Sequence, residues 1–217
     1  MCLSIIDAHA SRKCLSIAVP DTKDGRQIDE MTARFQFNRT LLPGLVSVQR
    51  QRAEDARGFF SRFFCAEELT EVGFAVPIAQ INQTLTRRRG SVRGLHFQLP
   101  PHGEVKFVSC MQGAVLDVAV DIRRGSPTFL QWHAEELSAD NGRSLLIPQG
   151  FAHGFQALTD DAQLLYLHSA PYQTGGEGAL NFRDPKLAIT WPLALAEISE
   201  RDANHPFVDD SFVGIAP

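Results

Sequence analysis

Ala114-Val115-Leu116-Asp117-Val118-Ala119-Val120-Asp121-Ile122 is the stretch on which the fold class turns. Leu116, Val118, Val120 and Ile122 fall at every second position, with Asp117 and Asp121 between them. A strand repeats its facing every two residues, so the pattern predicts a half-buried strand of an antiparallel sheet. Gln112-Gly113 before it and Gly125-Ser126-Pro127 after it read as turns. Outward from there the same grammar recurs. Strands are predicted over 105–111, 128–135, 144–148, 155–158 and 163–169, and upstream over 34–38, 45–49 and 78–85. Helical spacing appears over 65–72, closed by Gly73, and 198–202 could open a turn or short helix. Residues 171–185 read as loop, and Ile189-Thr190-Trp191-Pro192 as a short extended piece. Many short strands spaced by turns, with few short helices, predict an all-β sandwich or barrel.

Composition narrows the function classes. The chain has 217 residues, 44% apolar and 21% charged, enough for one domain with a full core. A formal charge of −4 argues against a nucleic-acid binder or a partner of anionic membranes. No apolar run is long enough to span a bilayer. Cys2, Cys14, Cys65 and Cys110 contain no CxxC pair, which predicts neither a disulfide framework nor a zinc site. Cys110 reads as a small buried hydrophobe. Asp7, His9, Arg12 and Lys13 interrupt any signal-like core, so a cytoplasmic protein is expected. Residues 1–30 lack periodicity and read as a flexible extension, with a single domain over 31–217.

The chemistry gathers in two segments. Arg93-Gly94-Leu95-His96-Phe97-Gln98 is followed by a loop over 99–104 that contains Pro100 and Pro101, and then by Lys106. On its own this is a basic strand-turn-strand, and it places a histidine, an arginine and a lysine around one hairpin. Histidine moves protons near neutral pH, and the two cations can hold an anion or a developing oxyanion. Gln80, Asn82 and Thr84 alternate on one strand face, which is either a solvent face or the inner wall of a ligand-binding barrel. Arg87-Arg88-Arg89-Gly90 reads as a charged hairpin tip, and Phe59 and Phe60 as core.

The second segment, Pro148-Gln149-Gly150-Phe151-Ala152-His153-Gly154-Phe155, stops one strand and reverses the chain. It sets a histidine at the start of the next strand. Its spacing resembles the second motif of the cupin superfamily, double-stranded β-helix (jelly-roll) barrels with a site in the mouth. The first cupin motif supplies His-x-His to a metal, whereas here Gln98 stands in for one ligand, and an amide is a poor replacement for imidazole. His96, Glu104 and His153 remain a three-donor alternative.

Both segments together are similar to the dTDP-4-dehydrorhamnose 3,5-epimerase family, over roughly 35–207. The resemblance also rests on Val105-Lys106-Phe107-Val108, Asp117 to Arg123, Gly125-Ser126-Pro127-Thr128, Asp184-Pro185, Ile189 to Pro192 and Ser199-Glu200-Arg201-Asp202. It implies a jelly-roll homodimer that works without metal or organic cofactor on a dTDP-linked 4-keto-6-deoxy sugar. His96 then matches the base, Asp202 its carboxylate partner, Lys106 the cation at the sugar oxyanion and Tyr166 the proton donor on the opposite face. Arg93, His153, Gln80 and Asn82 would line the substrate site. Asp117 would orient Lys106 or His153, and Tyr172 would substitute for Tyr166 or stack on the nucleobase. Arg57 and Phe59 match a segment that crosses to the partner subunit. Two departures, Arg62 where relatives often carry glutamate and Phe182 where tryptophan is common, leave open which sugar is used and whether one centre or two are inverted. A metal-dependent cupin and a non-catalytic sugar binder are the other classes.

Overall fold

A computed structural model describes residues 34–216; the extension expected at 1–30 lies outside the described residues. Thirteen strands and two single-turn helices follow in the order β1 (Phe35–Arg39), β2 (Val46–Arg50), β3 (Arg52–Asp55), β4 (Gly58–Ser61), α1 (Ala66–Thr70), β5 (Gln80–Thr86), β6 (Val92–Gln98), β7 (Lys106–Gln112), β8 (Ala114–Asp121), β9 (Trp132–Ser138), β10 (Arg143–Ile147), β11 (Phe151–Ala157), β12 (Ala162–His168), β13 (Glu177–Ala179) and α2 (Glu200–Ala203). They build a six-stranded sheet, β1-β2-β10-β7-β12-β5, and a five-stranded sheet, β13-β6-β11-β8-β9, with β3 and β4 as a separate hairpin. From β5 to β13 the chain passes from one sheet to the other at every connection except β8 to β9. That alternation is the double-stranded β-helix, so the protein is an all-β jelly roll. Among the described residues no helix is long and apolar enough to cross a membrane.

This winding corrects two local readings. Val92–Gln98 and Lys106–Gln112 are not one hairpin: β6 lies in the five-stranded sheet and β7 in the six-stranded one. The proline-bearing loop between them therefore carries the chain across the sandwich. Arg87 to Gly90 is likewise a crossing from β5 to β6 and not a hairpin tip. Sequence periodicity reports which face a residue takes but not which sheet its strand joins.

Three apolar clusters hold the layers. Val108, Cys110, Val115, Leu145, Phe151, Phe155 and Leu164 fill the space between the sheets. Val46, Val48, Phe107 and Leu146 meet Leu69 of α1 and Phe74 on the outer face of the six-stranded sheet. Val118, Val120, Ile122 and Leu95 are covered by Leu180, Leu187 and Val208 of the C-terminal segment. The expected half-buried β8 is thus buried on both faces. Its apolar row points outward beneath the C-terminal segment, and the row carrying Asp117 and Asp121 points into the sandwich. Burying a carboxylate is costly unless it is paired, and both are. Asp121 takes Arg123, Ser126 and Thr128, and Asp117 takes a histidine described below. Gln156, fully buried on β11, fastens the C-terminal segment by donating to Leu193 O and accepting from Leu193 N.

Smaller corrections follow from packing. Phe59 and Phe60 are 57% and 66% exposed on the β3–β4 hairpin rather than core. The strand expected over 128–135 begins at Trp132, because Thr128 is drawn into the turn around Asp121. Residues expected as loop at 171–185 contain β13, which pairs with β6. Cys110 is buried as expected, and burial pushes its thiol up to about 11.

Candidate active site

A cavity opens between the sheets at one end of the sandwich. Gln80, Asn82 and Thr84 of β5, Arg93, His96 and Gln98 of β6, Lys106 of β7, His153 of β11 and Tyr166 and His168 of β12 all line it. The polar row of β5 is therefore the barrel wall and not a solvent face. β6 and β11 belong to one sheet and β5, β7 and β12 to the other, so His96 and His153 face Tyr166 and His168 across the space.

The His96 wall depends on two glycines. His96 is the cross-strand partner of His153, and the β6–β11 register shifts just beyond them, between His153 and Phe155. There Gly94 (φ +111°) and Gly154 touch: a Cβ built on Gly94 would sit 2.6 Å from the Gly154 Cα. Any side chain would push the strands apart and turn the histidines away.

His96 Nε2 lies 2.8 Å from Asp202 Oδ1, and the Gly94 amide donates to Oδ2 at 3.1 Å. Asp202 is buried on α2, a single turn capped by Ser199, whose hydroxyl oxygen accepts from the Asp202 amide at 3.0 Å. Burial opposes ionisation, but the His96 and Gly94 hydrogen bonds outweigh it and hold the Asp202 carboxyl down to about 2. An ionised Asp202 fixes the proton on Nε2 and leaves Nδ1 of His96 as the lone pair. His205 lies 3.4 Å from the same carboxylate oxygen, its ring edge-on to His96; burial and the neighbouring His96 lower its affinity for a proton.

On the same sheet His153 Nε2 sits 2.9 Å from both oxygens of Asp117, a pair almost wholly buried. Of the two roles expected for Asp117, orienting His153 is the one its contacts match. On the opposite sheet Tyr166 is buried, its ring edge-on to His153 at 6.1 Å. Burial pushes its hydroxyl above the ordinary phenol range. Lys106 reaches Glu104 at 3.2 Å, and the other oxygen of Glu104 takes His168 Nδ1 at 2.7 Å. Burial alone would raise the Glu104 carboxyl; the His168 hydrogen bond and the charge of Lys106 hold it below its usual value instead.

The remaining expected residues divide. Arg93 is anchored at the cavity edge by Thr86 Oγ1 (3.1 Å) and Leu85 O (3.2 Å). Gln80 accepts the Tyr172 amide at 3.0 Å, and Asn82 approaches His168 Nε2 at 3.4 Å. Tyr172 stands half exposed at the rim with its hydroxyl on Glu177. Arg57 and Phe59 are not brought to the cavity: they project from the β3–β4 hairpin, and Arg57 pairs only with the exposed Asp55. Arg62 pairs with Glu68. The three-donor metal set is not assembled either. Glu104 is turned to Lys106 and His168, and among the described residues the one grouping of three potential ligands is His96, Asp202 and His205.

Sequence reading passed over His168, and met Gln98 and Glu104 only as positions of a possible metal set. One signal was available: His168 lies two residues beyond Tyr166 on the same strand and so shares its face. Its partner is 64 residues away, and no local pattern announces such a pair.

Comparison with known proteins places the chain in a family. A curated dTDP-4-dehydrorhamnose 3,5-epimerase of Sinorhizobium fredii is 38% identical over 183 residues, 84% of this chain and 92% of that one. Among solved structures, a dTDP-6-deoxy-D-glucose-3,5-epimerase from Legionella pneumophila, in complex with dTDP-4-keto-L-rhamnose, matches with a TM-score of 0.78 and 36% identity, covering 84% of this chain and 99% of that one. ChmJ, a 3′-monoepimerase from Streptomyces bikiniensis in complex with dTDP-quinovose, matches with a TM-score of 0.71 and 35% identity over 77% and 85% of the two chains. The family model described as dTDP-4-dehydrorhamnose 3,5-epimerase spans residues 39–210, and the chain is accordingly a member of the dTDP-4-dehydrorhamnose 3,5-epimerase family of isomerases.

Proposed function

We propose that the protein epimerises a dTDP-linked 4-keto-6-deoxy sugar at C3, C5 or both, using side chains alone for proton transfer. The observation that carries this reading is a base dyad, His96–Asp202, facing a buried tyrosine, Tyr166, from opposite sheets across one cavity. The C4 ketone acidifies the hydrogens on its neighbouring carbons. His96 Nδ1 takes one, the C–H electron pair moves into the ring, and the ketone oxygen becomes an enolate oxygen. Lys106 and His153 supply positive charge or a hydrogen bond to that oxygen, and one such donor is commonly worth on the order of 10²-fold in rate. Tyr166 then delivers a proton to the same carbon from the other face, and the centre is inverted. General acid–base help of this kind contributes about 10²–10⁴-fold.

Arg93, Gln80 and Asn82 hold the sugar and diphosphate, and Tyr172 at the rim offers its ring to the nucleobase. The exposed Arg57–Phe59 hairpin is read as a contact to the partner of a cytoplasmic homodimer. A single-centre enzyme is the second reading, favoured by the likeness to a 3′-monoepimerase beside that to a 3,5-epimerase. Incubation with dTDP-4-keto-6-deoxyglucose in D2O, without added metal, followed by proton NMR tests both. Deuterium at both carbons flanking the ketone, with inverted product trapped by a ketoreductase, is expected of the double epimerase; deuterium at one carbon identifies the single-centre enzyme. No exchange at either carbon overturns the proposal.

A further inference from the structure

His168 and Glu104 form a third histidine–carboxylate pair in the same cavity, and the mechanism above leaves it without work. His168 Nδ1 is bound to Glu104 Oε2 at 2.7 Å, and Glu104 is anchored in turn by Lys106 at 3.2 Å. The imidazole is thereby fixed with Nε2 toward Asn82 on the cavity wall, at a long 3.4 Å. Its ring lies nearly parallel to that of Tyr166, with centroids 5.9 Å apart and planes 21° apart. The side chains of both dyad members are about nine-tenths buried.

Proton bookkeeping shows what such a group is for. Each inversion moves one proton from the Tyr166 wall to the His96 wall: a C–H bond breaks toward His96, and a new one forms at the expense of the Tyr166 O–H. The phenolate left behind sits where burial disfavours it. Before a second centre or a second substrate can be inverted, Tyr166 must regain a proton from its own side of the cavity. Of the strand residues on that sheet that line the cavity, Lys106 and His168 are the other ionisable groups; Lys106 serves the enolate oxygen, whereas His168 shares the strand and face of Tyr166. The two near-parallel rings stand side by side on one wall, and among the described residues no hydrogen bond joins them, so a proton passing between them is carried by water.

Resting on the reading of Tyr166 as donor, we propose that His168, held by Glu104, is the group that reprotonates Tyr166 between inversions. The His168 imidazolium gives its Nε2 proton, through water, to the Tyr166 phenolate. The N–H bond breaks, the O–H bond forms, and His168 is left neutral. It regains a proton from solvent at the cavity mouth, while the imidazolium at His96 discharges on the other wall. Glu104 holds the His168 ring through Nδ1, as Asp202 holds the His96 ring through Nε2. His168 acts through Tyr166 and need not touch the sugar.

The test is a rapid-quench time course with the full chain and dTDP-4-keto-6-deoxyglucose, trapping products by borohydride reduction. His168→Gln keeps an amide for Glu104 and Asn82 but cannot carry a proton. It should form one inverted centre per active site at the wild-type rate, because Tyr166 begins protonated. Every later inversion should then slow at least about tenfold. Glu104→Gln also releases Lys106, so it should slow the first inversion as well but the later ones more, and that difference supplies the answer if His168→Gln does not fold. Loss of the first and later inversions in equal proportion would make His168 a packing residue, and wild-type progress throughout would make it a bystander; either overturns the relay. Tyr166→Phe is the control. If that variant inverts normally, the donor reading itself is wrong, whereas absence of the burst in His168→Gln alone removes only the relay.

Discussion

His96 Nε2 lies 2.8 Å from Asp202 Oδ1 although 106 residues separate them in the chain. The second carboxylate oxygen is claimed by the Gly94 amide on the same strand as His96, so Asp202 clamps backbone and side chain of β6 together. In Asp202→Asn the amide oxygen must serve Gly94, which turns the NH2 toward His96 Nε2. The proton then shifts to Nδ1, and the lone pair that would attack the substrate is lost. We expect kcat to fall on the order of 10²-fold or more with the fold intact. Steady-state kinetics beside circular dichroism check this; activity within a factor of a few of wild type would remove the dyad.

Tyr166→Phe separates the two walls. The His96 side is untouched, so deuterium should still enter the substrate from D2O while formation of inverted sugar drops on the order of 10²-fold. Proton NMR of residual substrate and trapped product reads both at once. Parallel loss of exchange and inversion would mean that Tyr166 does not act as the opposite-face donor.

Arg57 and Phe59 point away from their own cavity on a hairpin with no core of its own. If they complete the partner's site, Arg57→Ala should raise KM at least several-fold and leave kcat nearly unchanged. Phe59→Ser should make activity fall on dilution as subunits separate. Kinetics over a protein dilution series, with sedimentation velocity, measure both. A sedimentation profile that stays monomeric at every concentration with full activity excludes the shared site.

How much of this was legible in the sequence varies with what each residue depends on. Residues 198–202 read as a turn or short helix, of which α2 is the outcome, and the strands were readable because alternation is local. Sheet membership was not, since Pro100 and Pro101 look the same in a hairpin loop and in a crossing between sheets. The β8 alternation was read correctly as to period, yet its burial was missed. The cover over Val118 and Val120 includes Leu180, Leu187 and Val208 of the C-terminal segment, far downstream in the chain. His96 and Lys106 stood out as chemistry in their own segment, their roles and the choice of Tyr166 came from resemblance, and the fold gathers all three in one cavity. His168 was overlooked because neither motif contains it.

Asp121 gives a prediction about stability that is independent of catalysis. Its carboxylate is wholly buried and accepts from Arg123, Ser126 and Thr128. Burial works against the charge, but those hydrogen bonds outweigh it and lower the carboxyl from 3.8 to about 2. A carboxyl held low in the folded state binds its proton more readily when unfolded. Its contribution is therefore complete above about pH 4 and disappears as pH falls through about 2. Holding the carboxyl that far below its ordinary value corresponds to about 2 kcal/mol. Asp121→Asn should thus unfold about 2 kcal/mol more easily in urea at pH 7, and the gap between variant and wild type should close as the pH approaches 2. A gap that stays constant from pH 7 to pH 2 would show that Asp121 contributes by shape and hydrogen bonding and not through its charge.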